Sequence, residues 1–474
     1  MRSPDGSRLA PRWDCCLDLI TTFHPPSPAG IRTALEVAVR WTCLGHAMWL
    51  AEVAGTRILT DPLLGESFHD GLFRVHPRRS VAAERLRPDL IVVSHRHPDH
   101  FDLDSLYQLA QIDPTAVVLT ADDLVARACR RLGFESVGVL ADWDVVPLDG
   151  ARLLTTPSYC RVVEWGLVVA TDEGVVWNQV DTVLEDAARV RSVWEEVQRR
   201  LGVERCALGL VAWQPLREIE PHVYGRLDFP RAGWQQAVER AVALGADCVV
   251  PSASGHHHIG EASWLNAHAY PVSEERFRRV LAEQDVRCDP GTVGTSWSVR
   301  AGQVVHEAAA DELVAILPAE DTRAWRPDEV PPLRGWGDAA DRALVHTWVE
   351  DVLAPALATR LSRSPWARLQ LDVSWEGGED GWTFHWDGSA VSTTRGHTPY
   401  WDRRNHISGG HLARVLRGEA HWGRPLLAGQ LRHQERLTWR GERVAGGVMF
   451  LYDALSYDVS TERWVEHRLR ALSR

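Results

Sequence analysis

The chain has 474 residues, a formal net charge of −12 and 45% hydrophobic residues, among them 22 Trp. That length predicts two or three domains rather than one compact core, and the apolar and aromatic content excludes wholesale disorder. No stretch reaches the roughly 18 apolar residues of a membrane span, no secretory leader is read, and the acidic balance argues against nucleic-acid binding, so a cytoplasmic protein is expected.

Every one of the 52 basic residues is Arg; the sequence contains no Lys. Schiff-base chemistry on Lys is therefore excluded, as is ordinary Walker-A nucleotide hydrolysis, which needs the P-loop Lys. The eight cysteines, Cys15, Cys16, Cys43, Cys129, Cys160, Cys206, Cys248 and Cys288, include no CxxC pair. That spacing fits neither a disulfide framework nor a zinc ribbon, and the paired Cys/His elements of a Rieske cluster are missing.

In chain order, residues 1–37 are irregular and proline-broken and are read as an amino-terminal arm. "VRWTCLGHAMWLAEVAGTRILTDPLL" predicts two strands joined by a turn at Ala54-Gly55. "DLIVVSHRHPDHFD" is an apolar strand running into a polar loop, followed by a helix over "LDSLYQLAQI". A strand over "TAVVLT" and a helix over "ADDLVARACRRLG" come next, then strands at "GFESVGVL", "DVVPLDGARLLTTPS", "WGLVVATDEGVVWNQV" and "ALGLVAW". Helices over "TVLEDAARVRSVWEEVQRRLG" and "GWQQAVERAVALG" follow the 3.6-residue period, and "DCVVPSAS" is the last strand of the set. Strands alternating with helices in this way predict an α/β protein, two sheets sandwiched between helices in an αββα arrangement. Its domain spans 38–315, a Pro- and acid-rich linker 316–334, and a smaller α+β domain 335–474. In that last domain a helix, a hairpin around Glu376-Gly377-Gly378, a helix N-capped by Ser408 and a strand over "PLLAGQLR" are expected.

Ser94-His95-Arg96-His97-Pro98-Asp99-His100 carries the chemistry. Three imidazoles and a carboxylate fall within six residues at the end of the apolar strand Leu90 to Val93. In an extended loop they can converge on a pair of divalent cations, with iron or zinc suited to such ligands. This His-x-His-x-Asp-His spacing resembles the signature of the metallo-β-lactamase superfamily. "LGHAMWLAEVAGTRILTDPLL" also resembles the amino-terminal hairpin of its ascorbate-lactonase and phospholipase-D-type branch.

The resemblance implies that His95 and His97 serve one metal and Asp99 and His100 the other, with Asp61 propping the loop. Asp181 would be the bridging carboxylate, and Asp99 and Asp181 the catalytic carboxylates. A last ligand would follow "DCVVPSAS", with His256 favoured over His257, His258 and His268. One departure stands out. Where the family places a His in a Pro-x-x-His element, this chain has Pro157-Ser158-Tyr159-Cys160, with Glu164 four residues on. On a strand Cys160 and Glu164 would share a side, and either could replace the imidazole: thiolate would suit zinc, carboxylate iron.

"WLNAHAYPVSEERF" is similar to the CMP-sialic-acid-hydroxylase-like branch, and "GWTFHWDGSAV" with "ISGGHLARVLRGEAHWGRPLLAGQLR" resembles sterol-carrier-protein-2-like domains. Those domains imply an apolar pocket beneath a five-stranded sheet. His397, His406, His411, His421 and His433 match no ligand template and are read as ordinary His. The sequence thus predicts a dinuclear-metal enzyme, an O2-activating di-iron oxygenase acting on a small-molecule substrate, either a small free metabolite or one that is acyl-bearing or carrier-linked. Without a Rieske cluster it would need an external electron donor. A di-zinc hydrolase of an ester, thioester, lactone or phosphodiester is the alternative, and a decayed metal site the third reading.

Overall fold

The computed structural model describes residues 39–160, 162–307, 312–318, 330–361, 367–436, 451 and 457–473. The expected amino-terminal arm and the middle of the expected linker, 319–329, lie outside these residues.

Two sheets face one another. The first has eight strands in the order 303–307, 296–300, 39–45, 48–53, 56–60, 90–93, 117–120 and 137–139. It is antiparallel as far as 56–60 and parallel from there on. The second has six, in the order 145–148, 151–157, 165–171, 174–178, 208–212 and 248–252, with the last three parallel. Strand alternation divides their residues. Leu153, Leu167, Val169 and Val176 point into the core shared by the two sheets. Leu154, Val168, Ala170, Val175 and Trp177 point outward under helices. The αββα sandwich read from the sequence is thus the observed architecture.

The outer helices are positioned by their own sequences. Ala187–Leu201 buries Val190, Val193, Trp194, Val197 and Leu201, one stripe at helical spacing. Its N-cap Asp186 accepts the Arg189 N–H at 2.8 Å, and Gly202 closes it at φ +63°. Trp194 stacks on Trp177 at 5.9 Å, a contact worth about 1 kcal/mol beyond the area it buries.

Three local expectations need correction. The segment from Val39 holds three strands, because Gly45 at φ +108° and His46 at φ +53° make a second turn ahead of the one at Gly55. "DCVVPSAS" is not the last strand of the unit. His256–His258 pairs with Phe73–Val75, and Ser296–Arg300 with Gln303–Glu307 returns to extend the first sheet. In "PLLAGQLR" a short helix, Gly423–Leu427, precedes the strand Leu431–Glu435.

Residues 367–435 form a five-stranded sheet in the order 391–395, 378–386, 367–375, 403–408 and 431–435. The hairpin at Gly377 is as read. Trp375, Trp382, Phe384, Trp386 and Trp422 fill its covered face. Ser408 stands at the N-cap of Gly409–Arg417, but its side chain makes no capping bond. The final helix, Tyr457–Leu472, leaves this sheet. Its Trp464, Val465 and Leu469 join the core of the first unit.

Candidate metal centre

The strand Leu90–Val93 is buried throughout and delivers Ser94 and the His-rich loop at its carboxyl end. Beside it, Thr56–Thr60 ends in Asp61, fully buried and held at φ +42°. The Asp61 carboxylate accepts the Ser94 N–H at 2.7 Å, the Ser94 hydroxyl at 2.9 Å and His100 Nδ1 at 2.9 Å. Because the Ser94 hydroxyl donates to Asp61, its oxygen accepts from His95 Nδ1, 2.9 Å away. One carboxylate therefore fixes two imidazoles, placing Nδ1–H outward and leaving Nε2 of both His95 and His100 turned toward the centre.

The other expected residues converge there. His95 Nε2 lies 2.8 Å from His97 Nδ1. His100 Nε2 lies 3.0 Å from Asp181 and 3.3 Å from Asp99. Asp181 comes from the second sheet, in the turn after Gly174–Asn178 that Val180 enters at φ +51°. It caps no helix, since that duty falls to Asp186. Two groups, His95 with His100 and Asp181, and His46 with Asp99 and His100, each gather their ligand atoms within 4.8 Å of one another. Burial alone disfavours imidazolium at His100, but Asp99, Asp181 and Asp61 outweigh it and raise its pKa well above the ordinary range. His95 is driven the other way by burial and by its two neighbouring imidazoles.

Glu164 and Cys160 lie on a loop, not on a strand, ahead of Trp165–Thr171. Glu164 is buried, bonded to the Ser158 hydroxyl, and its pKa is raised chiefly by desolvation, with the Asp181 charge adding to the effect. Cys160 is a poor thiolate: burial and then Glu164 push it up to about 11, and its Sγ faces the Val162 carbonyl at 3.3 Å. His256 is buried beside His46, ring centroids 5.3 Å apart, with Nε2 3.0 Å from Glu218. His257 turns instead to His76, His258 packs on Phe73 at 4.7 Å, and His268 stands by Trp264 at 5.8 Å.

Two residues here were not singled out by sequence. His46 Nδ1 accepts the Gly255 N–H at 3.2 Å, so its Nε2–H is the one directed at Asp99, 3.1 Å away. Glu218, on the loop after Leu208–Ala212, is raised to about 7 by burial and by the Asp99 and Asp181 charges.

The carboxyl-terminal region reaches this loop. Arg96, between the two ligand-like His, bonds Asp122 at 2.5 Å and Asp458 of the last helix at 2.7 Å. His421 stacks edgewise on His69 at 5.3 Å and on Trp464 at 5.4 Å. His411 pairs with Glu261, His406 with Ser374 and His433 with Asn405. His397 approaches Asp372 and Glu379, though Arg404 already pairs with Asp372.

Residues 40–184 match the family model described as the Beta-lactamase superfamily domain. Cytidine monophosphate-N-acetylneuraminic acid hydroxylase of Cricetulus griseus is 36% identical over 107 residues, 21% of this chain and 19% of that protein. A UPF0173 metal-dependent hydrolase of Aeropyrum pernix is 31% identical over 160 residues, 30% of this chain and 61% of that protein. The chain thus spans a fifth of the first relative's length and less than two thirds of the second's. Among solved structures, CmlA, a diiron β-hydroxylase from Streptomyces venezuelae, aligns with a TM-score of 0.38 and 16% identity over 56% of this chain and 55% of that one. No helix among the described residues is long and apolar enough to cross a membrane. Residues 40–184, which include strands of both facing sheets and the His/Asp cluster at their edge, are thus the part of the chain that matches a Beta-lactamase superfamily domain.

Proposed function

We propose that the protein is a dinuclear-metal oxygenase, its metals held by His95, His97, Asp99, His100, Glu164 and Asp181, with His256 and Glu218 closing the far side. The observation that carries this reading is the buried carboxyl of Glu164, within charge range of Asp181 and His97 and without a cationic partner in its hydrogen bonds. A cation would compensate it, and an oxygen-rich donor set suits iron better than zinc. The residues present fit such a pair: Asp61 and Ser94 already turn two imidazole nitrogens inward. Two iron ions would supply O2 binding and its reduction. Hydroxylation of a C–H bond consumes O2, two electrons and two protons and releases water, so an external electron donor completes the reaction.

The chain's own groups manage protons and access. His46 holds a proton on Nε2 against Asp99, and Glu218 retains one near neutral pH, 3.0 Å from His256. A cavity of about 620 Å³ opens beside His46, walled by Trp213, Tyr270, Val272 and Val293 with Gln214 at its edge. That volume suits a small-molecule substrate.

A di-zinc hydrolase is the second reading, favoured by the match to the archaeal metal-dependent hydrolase. Metal analysis of protein purified without oxygen separates them. About two irons per chain, with an absorption band that changes on exposure to O2, supports the oxygenase, and Glu164→His then shifts the preference toward zinc. Colourless protein with two zinc ions, and metal identity indifferent to Glu164→His, refutes it.

A further inference from the structure

A second cleft, of about 770 Å³, lies between the helix Glu220–Val223 with the loop that follows it and the strands Arg403–Ser408 and Leu431–Glu435. Four arginines line it: Arg226, Arg404, Arg432 and Arg436. Arg404 is neutralised by Asp372, and Glu435, the one carboxylate among the described residues that line the cleft, is bonded to Arg403 at 2.9 Å. No carboxylate pairs with the other three among the described residues. Arg226 lies over Tyr224, Arg436 over Trp401, and Arg432 gives one Nη to the Pro331 carbonyl at 2.8 Å while its other, buried Nη has no partner. Burial already holds the Arg432 guanidinium down to about 10. Three positive charges converge on one cavity with no carboxylate paired to them among the described residues, an arrangement that attracts a multiply charged anion rather than a lone carboxylate.

The imidazoles add a second requirement. His222 gives Nε2–H to the Leu426 carbonyl at 2.6 Å, which leaves Nδ1 as a buried acceptor with no partner. His433 directs Nδ1 at Asn405 Oδ1, 2.7 Å away, leaving Nε2 in the same condition. Both rings are 5% exposed or less and are kept neutral by burial and by nearby arginines. A fully deprotonated anion offers no hydrogen to these two acceptors, whereas a pair of hydroxyl groups supplies one to each. We propose that this cleft is a second binding site, for a hydroxyl-bearing organic phosphate such as a sugar phosphate or nucleotide. The phosphate would lie on Arg226, Arg432 and Arg436, and the hydroxyls on His222 and His433. The site is separate from the metal reading and survives its failure.

Isothermal titration of the full-length protein with ribose 5-phosphate, ADP and inorganic phosphate tests this. The two organic phosphates are expected to bind at least tenfold more tightly than inorganic phosphate, and to weaken as salt is raised. The double variant Arg226→Gln/Arg436→Gln, whose side chains are exposed and whose fold should persist, and the variant Arg432→Gln are each expected to weaken binding at least tenfold. Asp181→Asn, at the metal centre, should leave it unchanged. Binding of ADP but not ribose 5-phosphate, or the reverse, identifies which source of the phosphate the cleft takes. Absence of binding, equal affinity for inorganic phosphate, or binding lost in Asp181→Asn but kept in the arginine variants would overturn the proposal.

Discussion

Asp61→Asn probes the carboxylate on which the ligand loop rests. Asn is the same size, and it tolerates the left-handed backbone that Asp61 adopts at φ +42°, so the change removes charge and one acceptor with little else. The carboxylate accepts three hydrogen bonds at 2.7, 2.9 and 2.9 Å in a fully buried site. An amide offers one oxygen for those three donors. Its NH2 must stand either in place of Oδ1, against the Ser94 N–H, or in place of Oδ2, against both the Ser94 hydroxyl and His100 Nδ1, and in the second case it drives the His100 proton to Nε2, the nitrogen needed for a metal. Losing one or two charge-assisted bonds in a buried site should lower the stability of the metal-free protein by about 2–4 kcal/mol. Mis-set tautomers should weaken metal binding about 10–100-fold. Urea denaturation with chelator present gives the first quantity, and competition with a chromophoric chelator the second. A variant as stable as the wild type, or one with undiminished metal affinity, refutes the role assigned to Asp61.

Other outcomes follow from the same geometry. Arg96→Gln breaks the bonds to Asp122 and Asp458 without touching an expected ligand; metal occupancy should fall several-fold while the far-ultraviolet circular dichroism is unchanged. His46→Phe keeps the ring and removes the proton held at Asp99, so turnover with any identified substrate should drop about 10²–10³-fold with metal content near the wild-type value. Acid should destabilise the fold through His222 and His433. Their folded pKa values, about 3 and about 4, lie below the ordinary 6.5, so the unfolded chain binds more protons. Stability is full above pH 6.5 and falls as pH drops toward those folded values, by about 2 kcal/mol for each ring at pH 5. Urea midpoints measured from pH 8 to pH 5 check this, and His433→Gln should flatten the slope.

The parts of this structure that local spacing controls were legible. Four apolar residues ahead of "SHRHPDH" place the loop at a strand end, and the period-2 and period-3.6 patterns place most of the sandwich's strands and helices. Asp181 was harder, because an Asp ahead of a helix is also a good N-cap, and only the structure shows Asp186 in that role. His46 and Glu218 carried no local signal. Each acquires meaning from a partner 53 and 38 positions away, Asp99 and His256. The Cys160-or-Glu164 alternative also needed the fold, because burial raises both groups, and what separates them is the thiol's turn toward a backbone carbonyl. Amphipathic spacing in 457–472 shows that one face is covered, but not that the cover belongs to helices more than 300 positions earlier.

The last helix has a consequence for the order of synthesis. Its Asp458, Glu462 and Glu466 meet Arg96, Arg127 and Arg131, a ladder of opposite charges at one-turn intervals. Arg96 sits inside the His-rich loop, yet its partner Asp458 leaves the ribosome 362 residues later. The His-rich loop is therefore made without the strut that steadies it until that helix follows. A chain halted before that helix would be released with its His-rich loop unbraced at Arg96.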